Sequence, residues 1–114
     1  MQVGLSRFRV KPDCAEMVEE WITFLNDNMR EVLTTLEGER IYVESIFSER
    51  IEGVDYMYWY TVQVEGGDAV ENSEHWIDKK HVEYWQACID KDYPAVDLSS
   101  RVTMIPDRVR QLMR

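Results

Sequence analysis

Cysteine is scarce in this chain: Cys14 and Cys88 are its only two, far apart and in no CxxC spacing. Neither a zinc knuckle nor a dithiol redox pair is suggested, and both thiols are expected to be inert. Base is short too, with 13 Lys and Arg against 22 Asp and Glu and a formal net charge of -9. The acid gathers in two helical stretches and the excess base follows Pro106, so no basic stripe exists for a phosphate backbone or an anionic membrane. Nucleic acid is therefore not an expected partner. Long apolar runs are missing: the longest, Tyr56 to Tyr60, falls far below the roughly 20 residues of a membrane-spanning helix. The start, Met1 to Val10, has neither a basic opening nor an apolar h-region. No signal peptide is expected, and a reducing cytoplasm is the expected home.

Familiar catalytic signatures are absent as well. There is no glycine-rich phosphate loop, no GxSxG elbow and no Cys and His arrangement with supporting spacing. His75 and His81 are the only histidines and lack the i, i+4 spacing that sets two imidazoles on one helical face. Neither a metal site nor a cofactor is expected.

What is present is a hairpin. Ile41 to Phe47 and Tyr56 to Val62 are rich in β-branched and aromatic residues and flank the turn-like Ile51-Glu-Gly-Val-Asp55. If Glu49 faces Tyr56, Phe47 pairs with Tyr58, Ser45 with Tyr60, Val43 with Val62, Ile46 with Trp59 and Glu44 with Thr61. One face is then nearly all apolar. We expect that face to meet the helices and the mixed face, with Tyr42, Glu44, Met57, Trp59 and Gln63, to lie opposite; a one-residue slip would exchange the two.

Around the hairpin the order repeats. Gln2 to Val10 reads as a strand, closed by Lys11-Pro12-Asp13. From Met17 to Leu36 apolar residues recur at three and four, predicting one helix of about six turns with Gly38 as its C-cap. Gly66-Gly67 ends the third strand. Asp78 is the expected N-cap of a second helix striped by Val82, Trp85, Cys88 and Ile89. Leu98 to Ile105 reads as a last strand and Arg108 to Arg114 as a short tail, giving one domain over residues 1–106 and a tail over 107–114.

The order βαββαβ predicts an α+β, ferredoxin-like fold: a four-stranded antiparallel sheet with both helices on one face. The other face stays open. Lined by Tyr42, Met57 and Trp59, with Ile46, it would be an apolar patch of the kind that marks an interface, so a homodimer through it is expected.

Several segments carry a family resemblance: Arg9-Val-Lys-Pro-Asp13, Val18-Glu-Glu-Trp21, Tyr42-Val-Glu-Ser-Ile-Phe47, Asp55-Tyr-Met-Tyr-Trp-Tyr60, and Ile77-Asp-Lys-Lys-His81 with Tyr84-Trp85. As a set they resemble an uncharacterised bacterial family, a domain of unknown function within the dimeric α/β-barrel group. More distantly the chain is similar to L-rhamnose mutarotases and antibiotic-biosynthesis-type monooxygenases. That resemblance implies a pocket between sheet and helices. It transfers no acid or base, because the first helix holds no histidine where the mutarotase pattern has one.

The residues themselves nominate few groups. His81, three before Tyr84 and four before Trp85, suits proton transfer at a pocket edge, against the plainer reading of a solvated histidine. Glu44, a mid-strand carboxylate, is a general base or simply an ion-pair partner of Arg7 or Arg9. Tyr60, opposite the small Ser45, leaves a gap for a ligand. The expected pocket is bounded by Trp21, Tyr58, Tyr60, His81 and Trp85, and holds a small apolar or aromatic ligand. The competing expectation is a cofactor-independent isomerase, mutarotase or monooxygenase using Tyr60 and His81, with Glu44 as a further catalytic candidate.

Overall fold

In the computed structural model, which describes residues 1–64, 70 and 73–113, the chain runs β1 (Gln2–Arg9), α1 (Ala15–Asp27), α2 (Met29–Glu39), β2 (Ile41–Ile51), β3 (Val54–Gln63), α3 (Trp76–Cys88), β4 (Val96–Leu98) and α4 (Asp107–Arg110). The strands form one sheet in the order β2-β3-β1-β4, every neighbouring pair antiparallel. With α1, α2 and α3 on one face, this is the ferredoxin-like arrangement. No helix among the described residues is long and apolar enough to cross a membrane. Gly66-Gly67 lies outside the described residues.

The hairpin closes through two residues, Glu52 (φ 49°) and Gly53 (φ 79°). Positive φ at both positions is the type I′ geometry, whose twist matches the flanking strands. The register is the one expected, from Val43 opposite Val62 to Glu49 opposite Tyr56. A bulge between Ile41 and Val43 leaves Tyr42 unpaired.

The single long helix is in fact two. Asn28 leaves helical geometry (φ -116°, ψ 31°), and its side-chain amide donates to the Phe24 carbonyl at 2.8 Å. Asparagine competes with the helical backbone in this way, and a 3.6-residue apolar stripe does not register the break. Gly38 is not the cap either: it lies inside α2, and Arg40 takes the left-handed position (φ 57°). His75, not Asp78, caps α3, its Nδ1 accepting from the Ile77 N–H at 3.2 Å. The last strand is Val96–Leu98 rather than 98–105; the chain from 99 to 106 has no regular structure.

The two sheet faces are exchanged relative to expectation. Met57 (1% exposed) sits in the core with Val10, Val18, Trp21 (0%), Cys88 and Ile89, and Phe8, Ile46, Trp59 and Trp85 pack against it. Met57 and Trp59 therefore face the helices and cannot line an open-face interface. On the outer face Leu5, Phe47, Tyr58 and Tyr60 surround an apolar hollow, and Phe47 is 57% exposed. The physical reason is that the helix-facing side is apolar over only half its length. Beyond Phe8 and Trp59 it continues as Ser6, Gly4, Gln2, Thr61, Gln63 and Glu44, and there it lines a cavity instead of packing.

Candidate functional site

That cavity occupies about 730 Å³ between sheet and helices. Strand alternation supplies the floor: Ser6 and Phe8 from β1, Glu44 from β2, Trp59, Thr61 and Gln63 from β3. From α2 come Val32, Thr35, Leu36 and Glu39. From α3 come Asp78, His81, Val82 and Trp85, which share one helical face because they stand at i, i+3, i+4 and i+7.

The aromatic wall is one continuous cluster. Phe8 meets the edge of Trp85 at 4.4 Å between ring centroids, Trp85 lies 5.4 Å from Trp59, and Trp59 lies 5.4 Å from Trp21. Trp21 is wholly buried behind this wall, and its indole Nε1–H donates to His81 Nδ1 at 2.9 Å. Indole nitrogen only donates, so Nδ1 must present its lone pair, and a neutral His81 then carries its proton on Nε2. Burial pushes the His81 pKa down from its ordinary value, partly opposed by the charge of Asp78. Burial and the bond from Trp21 together hold the ring neutral, with an Nε2–H to offer.

Glu44 is shifted in the opposite sense. Burial raises its pKa, a hydrogen bond from Trp59 pulls it partway back, and the charge of Asp78 adds to the rise. Asp78 itself is 6% exposed, the one buried charged residue among those described. Neither expected ion-pair partner reaches Glu44. Arg7 and Arg9 lie on the opposite face, Arg7 over the Tyr56 ring at 5.2 Å and Arg9 over Tyr93 at 3.7 Å. The arrangement thus offers a neutral donor and a carboxyl that holds its proton beyond the usual range, both opening into one cleft.

Of the residues nominated from sequence, His81, Trp85 and Glu44 line the cavity, and Trp21 supports it from behind. Tyr58 and Tyr60 do not: they are on the outer face, Tyr58 bonded to Glu49, and neither can share a ligand with His81. Asp78, Trp59 and Glu39 were not nominated. The spacing Asp78, His81, Trp85 carried the signal for the first, hidden because aspartate before a helical pattern reads as a cap. Among the described residues no group of three or more His, Cys, Asp or Glu is placed to hold a metal ion.

No curated protein matches the chain significantly. Among solved structures, the L-rhamnose mutarotase of Formosa agariphila is similar, with a TM-score of 0.57 and 17% identity over 92% of this chain and 100% of that one. At that identity the likeness is one of fold. A family model extends the match across nearly the whole sequence: over residues 1–111 the chain belongs to the family of unknown function DUF6176.

Proposed function

We propose that this protein binds a small molecule in the cavity between its sheet and helices and carries the groups to move a proton on it. One observation supports this above the others: Glu44 and His81, shifted in opposite directions, open into the same space of about 730 Å³. Ligand sites are typically about 300 to 1,000 Å³, mostly apolar, with a few convergent polar groups. A two-dimensional NMR fragment screen tests the reading. Ligands should shift the indole signals of Trp59 and Trp85 and the ring signals of His81, and leave Tyr58 and Tyr60 untouched. Shifts confined to the outer face would defeat it.

A second reading, a cofactor-independent isomerase of the mutarotase kind, is favoured by the same pair with revised roles. Tyr60 has no part in it. His81 cannot serve as base while Nδ1 accepts from Trp21, because Nε2 already holds the proton; it would donate from Nε2 and polarise a ligand oxygen. Glu44 would take and return the proton, the role that a carboxylate with a raised pKa suits. The carboxylate is then the group whose loss matters most, and Glu44→Gln should abolish any interconversion of a sugar's anomers followed by NMR exchange spectroscopy.

The homodimer belongs to this proposal, rebuilt on the face that is actually open. Leu5, Phe47, Tyr58 and Tyr60 form the apolar patch, and contiguous exposed apolar area of this sort marks an interface. The two cysteines, both free thiols, fit a reducing cytoplasm.

A further inference from the structure

The charges around the cavity are all of one sign. Glu44 and Asp78 line it, and no lysine or arginine among the described residues does. Four bases of the neighbouring elements are engaged elsewhere: Arg7 stacks on Tyr56 and Arg9 on Tyr93, and Lys79 and Lys80 pair with Glu74 at 2.9 Å and Glu83 at 3.8 Å. Buried carboxylates are ordinarily paired, since an uncompensated one costs several kcal/mol. Asp78, 6% exposed and lining the cavity, instead faces a second carboxyl, Glu44, and an imidazole. His81 is a poor counter-ion, because a proton on Nδ1 would point at the Trp21 N–H that already occupies that position.

The remaining wall is aromatic. Phe8, Trp59 and Trp85 border the same space, and ring faces attract cations by their quadrupole, tryptophan most strongly. Acid without base, beside tryptophan, is a surface that rejects phosphates and carboxylates and has a vacancy for positive charge. Resting on the ligand-cavity reading above, we propose that the cavity takes a small organic monocation, an amine or quaternary ammonium with an apolar body, its head between Glu44 and Asp78 and its body against Trp59, Trp85 and Phe8.

Three probes that share one apolar body and differ in charge test this by calorimetry on the full chain near neutral pH: 2-phenylethylamine, 2-phenylethanol and phenylacetate. The amine should bind at least about tenfold more tightly than the alcohol, and phenylacetate should not bind. Glu44→Gln and Asp78→Asn, each checked for folding by circular dichroism, should bring the amine down to the alcohol's affinity. Equal affinity for amine and alcohol, or preference for phenylacetate, would overturn the cation assignment and leave the cavity reading standing. Binding of none of the three up to about 10 mM, a free energy under about 3 kcal/mol, would overturn both.

Discussion

The indole N–H of Trp21 on α1 is bonded to Nδ1 of His81 on α3, 2.9 Å away, and through that bond a core residue sets the tautomer of a cavity residue. Trp21→Phe removes the donor while keeping a ring. Burial, the main cause of the lowered His81 pKa, remains, so that pKa should rise only partway towards its ordinary 6.5 as the bond to the neutral ring is lost. Stability should fall by about 2 kcal/mol from lost packing and an unpaired acceptor. Titration of the His81 Cε1 proton and urea unfolding measure the two effects separately.

The pH dependence of stability has two opposed sources in the cavity. His81 is lowered from 6.5, so the unfolded chain takes up that proton first; its contribution is present above pH 6.5 and is lost as pH falls from there through the folded value. Glu44 is raised from 4.5, so its contribution is whole below pH 4.5 and is lost as pH rises through the folded value. Glu44→Gln should therefore be more stable than the parent above the Glu44 titration and gain nothing below pH 4.5. Urea midpoints across a pH series would show the two curves separating on the alkaline side; parallel curves would contradict this.

Phe47→Asp places a charge at the centre of the outer apolar patch, where 57% of the side chain is already accessible, so the protomer should fold normally. Sedimentation velocity should give a dimer for the parent and a 13.6 kDa monomer for the variant. A parent that sediments as a monomer at tens of micromolar would end the dimer proposal.

Cys88 is wholly buried, and burial is the main reason that its thiol is pushed up to about 11. The thiolate is the reactive form. Native protein should therefore give no more than one fast-reacting thiol with a disulfide reagent, and two in denaturant. The second should appear at the rate of global unfolding.

Much of this architecture was legible in the sequence, and the misses share a cause. Pairing Glu49 with Tyr56 followed from turn length and strand chemistry, local properties that the fold preserves. Choosing which face met the helices relied on the apolar side turning inward. Glu44, Thr61 and Gln63 break that rule because they line a cavity, so the polar positions of the inner face mark that cavity and read in sequence as solvent exposure. Asp78 was lost the same way, its acid taken for a cap while His75 did the capping. Phe47 and Tyr58 show the converse: an apolar outer face looks like core when only one chain's alternation is read.

The interruption at Asn28 separates two jobs that one continuous helix would have fused. The buried side chains of this region, Val18 and Trp21, are both on α1, whereas α2 buries none and presents Val32, Thr35 and Leu36 to the cavity. Foundation and roof thus fall largely to different segments, with Leu25 the one residue of α1 that lines the cavity, and the two meet at Asn28. Substitutions in α2 can reshape the space above Glu44 without touching the tryptophan cluster that keeps the domain folded. The shape of the cavity can therefore change at little cost to the packing that holds the domain together.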